Sequence, residues 1–314
     1  MLVNEAVLKC GLALIVSGVF LSCQDSEKNL IPSSDVAIND ASETEPRELS
    51  QPFKEYWFSG KAELTSYQLQ QERYGELRQG TAVTIFVTED FLPDVQVKAN
   101  AANDTNETVL KLNLTKDFVT GIYPYHIMTS VFSPLDRNGH AIKVTNSTQE
   151  WCGQTYTQLN NRKDYDVVSH SYFEGEADME FSLEKTWLED EIWSLIRIAP
   201  ETLPTGELAM VPSIECVRLH HKDLQPYESF ASFKQGDSLS TYTINYPTLQ
   251  RQLTIWFHSA FPYEIEKWEE INASVGRDTT SLKTTAQRLK RIKSTYWGKN
   301  KNVDIALRDS LGLN

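Results

Sequence analysis

Apolar and polar residues alternate along most of the chain after residue 50, which is the period of a half-buried β-strand. The clearest run is 109–114, where Leu110, Leu112 and Leu114 share one face and the intervening Lys111 and Asn113 share the other. Turn-forming residues separate about a dozen such runs at hairpin spacing, without a βαβ rhythm. The pattern predicts an all-β body of large antiparallel sheet, as a β-sandwich or a clam-like fold, with one or two short helices.

One segment has the period of a helix instead. Residues 186–189 read Thr-Trp-Leu-Glu, which fits a capping box, and three acidic residues at 189–191 favour the start of a helix. The apolar residues that follow share one helical face and end before Pro200; they are Leu188, Ile192, Leu195 and Ile196. The run 205–220 is interpreted as a strand, and 303–311 as a last short helix before Gly312. The basic run 284–292 fits a strand or a helix with Leu282, Ala286, Leu289 and Ile292 on one face, and the strand is favoured.

The predicted helix divides the body into candidate halves at 51–185 and 200–314. The runs 154–159 and 252–257 are slightly similar, and each is followed by a Tyr-acidic-apolar triplet. A duplication would imply two similar sheets around a common groove, but strand alternation alone also produces this degree of likeness. Both readings stay open at this point.

The N-terminus carries a short apolar run that ends at a cysteine. Gly11 to Leu21 would rise about 16 Å as a helix, which is half of a bilayer core and typical of a signal peptide. Ser22 and Cys23, followed by polar residues, resemble a bacterial lipoprotein signal. The resemblance implies a signal peptide at 1–22, cleavage before Cys23 and acylation of its sulfur, so that membrane lipid is a partner. Plain secretion and a buried helix are the alternatives.

Residues 23–50 are predicted to form an acylated, disordered acidic tether. Residues 24–50 contain seven acids, two bases and no aromatic residue, so that they have little apolar surface to bury. The body at 51–314 has a net charge of −8, which argues against nucleic acid as a partner.

The densest group of chemically active side chains is the stretch 170–181, H-S-Y-F-E-G-E-A-D-M-E-F. At strand periodicity His170, Glu174, Glu176 and Asp178 would share one face, with Phe173 and other apolar residues on the opposite face. Clustered carboxylates could bind Ca²⁺ or supply an acid and a base in a hydrolase. A solvated face above an apolar core is the simpler interpretation, and the stretch lacks the turn residues of a calcium loop.

Cysteine and histidine residues give weaker signals. After cleavage, Cys152 and Cys216 could form a disulfide in an oxidising compartment or remain two separate thiols. His220 and His221 are adjacent and would point to opposite faces of a strand, which disfavours joint ligation of a metal. The sequence predicts no metal site and no cofactor.

Five short runs resemble an uncharacterised lipoprotein family of Bacteroidota. They are Q-E-R-Y-G-E at 71–76, T-I-F-V-T-E at 84–89, Q-E-W-C-G at 149–153, S-H-S-Y-F-E-G-E at 169–176 and L-P-T-G-E at 203–207. The resemblance covers most of 53–313. Some members are labelled septum formation inhibitor Maf, but the S-x-S-x-R-R motif of the Maf pyrophosphatases does not occur here. The resemblance therefore implies a lipoprotein and no catalytic residue.

Two functions follow as expectations. The first is a non-enzymatic lipoprotein, anchored to the outer membrane on its periplasmic or surface side, that binds or scaffolds a lipid, a glycan or an envelope protein. The second is a carboxylate-based hydrolase that acts on an envelope or extracellular substrate through Glu174, Glu176 or Asp178. Carboxylates open to solvent would favour the first, and carboxylates facing one another in a cleft would favour the second.

Overall fold

Strands dominate the computed structural model, which describes residues 46–101, 103–272 and 282–313. The strands are β1 (Ala62–Arg73), β2 (Glu76–Leu92), β3 (Val97–Lys98), β4 (Glu107–Thr120), β5 (Tyr123–Pro134), β6 (Lys143–Glu150), β7 (Gly153–Asn161), β8 (Tyr165–Ser171), β9 (Met179–Leu183), β10 (Trp187–Leu188), β11 (Gly206–Val211), β12 (Tyr227–Lys234), β13 (Leu239–Tyr246), β14 (Arg251–His258), β15 (Ile265–Ile271) and β16 (Lys283–Ser294). The helices are α1 (Gln51–Trp57), α2 (Glu189–Ile198) and α3 (Ile214–His220), with 3-10 helices at Pro200–Thr202, Tyr296–Gly298 and Asn302–Leu311.

All of these strands belong to one sheet. Its order is β10-β11-β12-β13-β14-β15-β16-β1-β2-β4-β5-β6-β7-β8-β9, and β3 pairs with β2 outside this path. Neighbours are antiparallel, apart from the parallel pair β10 and β11. The all-β prediction is confirmed. The candidate halves are two portions of one continuous sheet, because β16 of the second half pairs with β1 of the first half at the centre of the strand order.

The sheet must curve strongly, because its two edge strands follow each other in the chain. β9 ends at Leu183 and β10 begins at Trp187, yet the two strands lie at opposite ends of the strand order. A link of this length spans at most about 14 Å. The two edges therefore approach each other at this point, and the sheet has a concave face.

Helix α2 lies against that concave face, and every one of its ten residues is buried. Arg197 donates two hydrogen bonds to Glu63 on β1, at 2.6 and 2.8 Å. At the other end of the helix, Glu189 accepts a hydrogen bond of 2.7 Å from Arg251 on β14. The Trp193 ring also packs edge-on against Trp268 of β15, with a centroid distance of 5.1 Å. The helix is thus held by strands from both sides of the sheet.

Buried charges in this core depend on their partners. Burial alone would raise the pKa of Glu63, but the charge and hydrogen bonds of Arg197, with smaller contributions from Tyr56 and Arg291, lower it to about 2. Such a pair offsets the desolvation of both ions, and it would cost much stability to remove one partner alone.

The strand pattern in 109–114 has the predicted faces. Leu110, Leu112 and Leu114 are buried in the main core, whereas Lys111 and Asn113 are half-buried on the opposite face of β4. Residues 284–292 lie within β16, as predicted, and 303–311 lie within a 3-10 helix that ends at Gly312 with φ +64°.

Two local predictions were wrong. Residues 205–220 do not form one strand, because β11 ends at Val211 and α3 begins at Ile214, with the Ser213 side chain as its cap. Thr186 does not cap α2; it donates to the carbonyl of Ala209, and Glu191 accepts the backbone N–H of Leu188 instead.

The described end of the predicted tether packs against the body. Arg47 donates to the carbonyl of Pro134 at 3.0 Å and to the Asn138 side chain at 3.1 Å. Ser50 then caps α1, whose Phe53 and Trp57 are buried. The body therefore begins before residue 51, while the remainder of the tether and the signal segment lie outside the described residues.

Candidate functional site

The acidic stretch 170–181 is a hairpin and not a continuous strand. β8 ends at Ser171 and β9 begins at Met179, so that 172–178 form the loop between them. Gly175 has φ +82°, a left-handed conformation that interrupts the alternation of faces. The prediction that Glu174, Glu176 and Asp178 share one strand face was therefore wrong.

These three carboxylates are dispersed over the loop. Glu174 and Asp178 are exposed, and Asp178 lies 3.3 Å from His170. Glu176 is half-buried, accepts a hydrogen bond of 3.4 Å from Ser171 and contacts His221. Glu176 and Asp178 line two different pockets, and Glu174 lines neither of them.

The two candidate disulfide partners are both free thiols. Cys152 is exposed on the turn between β6 and β7, where the hydrogen bond and the charge of Glu150 raise its pKa. Cys216 is buried in α3, and this burial raises its pKa to about 12. Neither environment favours a reactive thiolate. The predicted lipidation residue, Cys23, lies outside the described residues.

The histidine pair belongs to the end of α3 and not to a strand. His220 is half-buried, and burial is the main reason that its pKa is lowered to about 4. His221 is exposed, has a left-handed φ of +51° and contacts Glu176. Among the described residues, no three His, Cys, Asp or Glu side chains converge in a metal-binding arrangement.

A pocket of about 210 Å³ lies between α3 and the concave face of β7, β8 and β9. We call it the α3 pocket. Hydroxyl groups of β7 and β8 line one wall of the pocket, and apolar groups of α3 and β9 line the other. Charged side chains lie around these two walls. The lining residues are Thr155, Thr157, Ser169, Ser171, Gly175, Glu176, Met179, Phe181, Ile214, Val217, Arg218, Lys222, Asp223 and Leu224.

The sequence of each element explains why the pocket is amphipathic. Leu159 on β7 and Val167 on β8 point into the core. Two positions away along each strand, the residues on this same face are polar: Thr157 on β7 and Ser169 on β8. The two hydroxyl oxygens of Thr157 and Ser169 lie 2.8 Å apart. The strands therefore supply the apolar core at one end and a polar wall at the other.

Arg218 is the buried charge of the pocket. It is 8 % exposed, and its Nε and Nη1 atoms have no hydrogen-bond partner among the described residues. Its guanidinium lies 4.1 Å from the centroid of the Phe173 ring, so that an aromatic face supports it. By contrast, the buried Arg197 and Arg251 both have carboxylate partners.

Sequence reasoning missed Arg218. The segment 205–220 is apolar enough to suggest a strand, and the Ser213 cap of a seven-residue helix is a weak local signal. Whether an arginine has a carboxylate partner depends on residues distant in the chain, so that no local pattern could have shown it.

Two larger pockets lie nearby. One, of about 650 Å³, surrounds the turn between β6 and β7 and includes the exposed aromatic residues Trp151 and Tyr172 together with Cys152, His170 and Asp178. The other, of about 470 Å³, lies between the β1–β2 turn and α3, beside Arg73 and Arg251. Arg251 is already engaged by Glu189 and Glu270.

Within the described ranges, every helix is too short or too polar to cross a lipid bilayer. Comparisons of the chain with protein-family models, with curated proteins and with solved structures find no match.

Proposed function

We propose that this chain is a non-enzymatic envelope lipoprotein whose β-rich body binds a small ligand in the α3 pocket. The observation that carries this proposal is the pocket itself, with hydroxyl groups on one wall, apolar groups on the other and the buried Arg218 between them. A concave site with a few convergent polar groups among apolar ones is typical of small-molecule recognition.

Anchoring to the outer membrane through an acylated Cys23 is the part of the proposal that rests on sequence. The apolar run from Gly11 to Leu21 and the Ser22-Cys23 pair support it. Two or three acyl chains on Cys23 would hold the protein on the membrane, while the chain between Cys23 and the body would let the body reach its ligand.

The dispersed carboxylates favour binding over hydrolysis. A glycosidase-type mechanism needs two carboxyl groups that face one another across the substrate. Here Glu176 lines the α3 pocket, Asp178 lines the pocket beside Trp151, and Glu174 is exposed on the loop. These positions do not bring a general acid and a second carboxylate to one bond.

The test is native mass spectrometry of the protein extracted from membranes, which measures any small molecule that stays bound. Wild type should retain a ligand of defined mass. Val217→Phe should lose it, because the larger side chain would fill the pocket between α3 and β8, whereas Val303→Phe, at a position that is 81 % exposed, should retain it. Ligand retained equally by Val217→Phe would contradict the assignment to this pocket, as would a wild-type protein free of ligand.

A further inference from the structure

We propose that the ligand of the α3 pocket is an oxyanion on a short apolar tail, with a carboxylate or phosphate head bound by Arg218. This inference rests on the proposed binding function of the same pocket and adds the chemistry of its ligand. The head group and the tail follow from different residues.

The charge of Arg218 points to an anionic head. Arg218 is 8 % exposed as a residue, so that its charged group has lost much of its hydration, and a protein normally compensates such a loss with a carboxylate. Among the described residues no carboxylate forms an ion pair with Arg218, and two of its nitrogen atoms have no acceptor. The planar guanidinium matches the geometry of a carboxylate or phosphate, which can accept two parallel hydrogen bonds.

The acidic residues around the pocket do not fill this role. Glu176 is engaged by Ser171 and His221. Asp223 is exposed, as is the neighbouring Lys222, so that both of these charges are solvated at the rim. Arg218 is therefore the charge that a bound anion would contact inside the pocket.

Hydroxyl groups complete the polar half of the pocket. Thr157 and Ser169 are hydrogen bonded to each other, and either hydroxyl can turn its proton towards a new acceptor. An oxyanion has more lone pairs than one guanidinium can satisfy, so that these hydroxyls would serve its remaining oxygen atoms.

The apolar wall of the pocket indicates that the ligand has an apolar tail. Ile214 and Val217 on α3 and Phe181 on β9 present apolar surface to the same space. The volume of about 210 Å³ has room for about seven groups of ~30 Å³ each, which corresponds to a short tail of about seven carbon atoms. Octanoate and octyl phosphate are therefore suitable probes.

The experiment is isothermal titration calorimetry with the full chain carrying Cys23→Ala, which removes the predicted acylation site and leaves every described residue unchanged. The probes are octanoate, octyl phosphate, 1-octanol as the uncharged control and acetate as the head group alone. Arg218→Gln and Arg218→Lys are compared with Arg162→Gln, an arginine exposed on the turn between β7 and β8.

We expect octanoate or octyl phosphate to bind with one site and at least tenfold more tightly than 1-octanol or acetate. The better of the two anions identifies the head as carboxylate or phosphate. Arg218→Gln should weaken anion binding at least tenfold without changing 1-octanol binding, Arg218→Lys should lose less, and Arg162→Gln should match the unsubstituted protein. The melting temperature of ligand-free Arg218→Gln should be unchanged or higher, because a buried cation without a partner has been removed.

Equal binding of octanoate and 1-octanol would overturn the inference, and so would anion binding that is unaffected in Arg218→Gln. A large decrease in the melting temperature of ligand-free Arg218→Gln would also overturn it, since Arg218 would then be structural. If an uncharged molecule stays bound in native mass spectrometry while neither anion binds, the oxyanion assignment fails and the binding function stands. If wild type retains no ligand in native mass spectrometry and binds none of the probes in calorimetry, both the oxyanion assignment and the binding function fail.

Discussion

At the scale of single residues, the core contains a carboxyl group with an unusual environment. Asp190, in the first turn of α2, is buried and accepts a hydrogen bond of 3.0 Å from the backbone N–H of Ile214, the first residue of α3. Burial is the main reason that its pKa is raised to about 7, and the nearby charges of Glu189 and Glu215 also raise it. The hydrogen bond from Ile214 and the charge of Arg251 lower the pKa, but by less. Its protonation state thus affects the contact between α2 and α3.

We predict that Asp190→Asn stabilises the protein more at pH 8 than at pH 5. The folded protein holds the proton with a pKa of about 7, against an ordinary value of 3.8, so that wild type loses stability as the pH rises through this window. Asparagine keeps an acceptor for Ile214 and never ionises. In denaturant unfolding, the gain at pH 8 should exceed the gain at pH 5 by at least about 1.4 kcal/mol, the equivalent of one pKa unit.

Asp237→Asn is the matched control, because Asp237 is exposed in the loop between β12 and β13 and should give no change at either pH. A loss of stability in Asp190→Asn that is equal at pH 5 and pH 8 would mean that the ionised carboxylate is fully compensated in the fold.

At the scale of elements, β4 gives the clearest link between sequence pattern and packing. Leu112 is 1 % exposed on the core face, whereas Lys111 is half-buried on the other face, with its Nζ 3.5 Å from Glu89. Leu112→Ala should decrease the free energy of unfolding by about 2–5 kcal/mol, because it leaves a cavity.

Lys111→Ala is the neighbouring control and should cost under about 1 kcal/mol, since an ion pair at the edge of solvent contributes little. Denaturant unfolding of both variants measures the contrast. Equal costs at positions 111 and 112 would mean that the two faces of β4 are not packed differently.

The sequence predicted the elements whose period extends over many residues. Alternation extends through β4, so that a single face is evident without knowledge of the neighbours, whereas in β16 it stops after Ala286. The sequence pattern could not separate β11 from α3, because a seven-residue helix completes only about two turns and its apolar residues continue those of the strand. In the acidic stretch a signal was present: Gly175, which adopts the left-handed conformation of a turn, lies between Glu174 and Glu176.

For the acidic turn of α2, the sequence predicted the start of the helix but not the burial of its carboxylates. Its three carboxylates favour the helix N-terminus, as the sequence suggested, but all three are also buried. Their partners come from the loop between β5 and β6, from α3 and from β14; they are His140, Ile214 and Arg251. Pairings over such separations follow from the completed fold, and so do the α3 pocket and the burial of Arg218 without a carboxylate partner in the described part of the chain.

At the scale of the whole molecule, the proposed anchor determines where the pocket operates. Cys23→Ala should release the protein from the membrane fraction into the soluble envelope fraction, because it removes the predicted acylation site. Sedimentation of envelopes after a high-salt wash, followed by immunoblotting, measures this.

Cys152→Ala is the control for this prediction. Its thiol is exposed on the turn between β6 and β7, so that it could carry a lipid by accessibility alone, yet the variant should stay in the membrane fraction. A Cys23→Ala protein that still sediments with membranes would contradict the anchor.

The pairing of β1 with β16 has a consequence for how the protein is made. Ala62 faces Ser294 across this pair, so that the centre of the sheet joins the first long strand to the last one. Helix α2 in turn needs Glu63 from β1 and Arg251 from β14. While a ribosome is still translating the chain, the nascent body therefore lacks β16, one strand of its central pair, and, until β14 has been made, the Arg251 partner of its internal helix. Contacts of such long sequence separation form late and slowly. For a chain exported as proposed, completion of the core only after β16 has been made would leave time for passage through a narrow channel before the sheet closes.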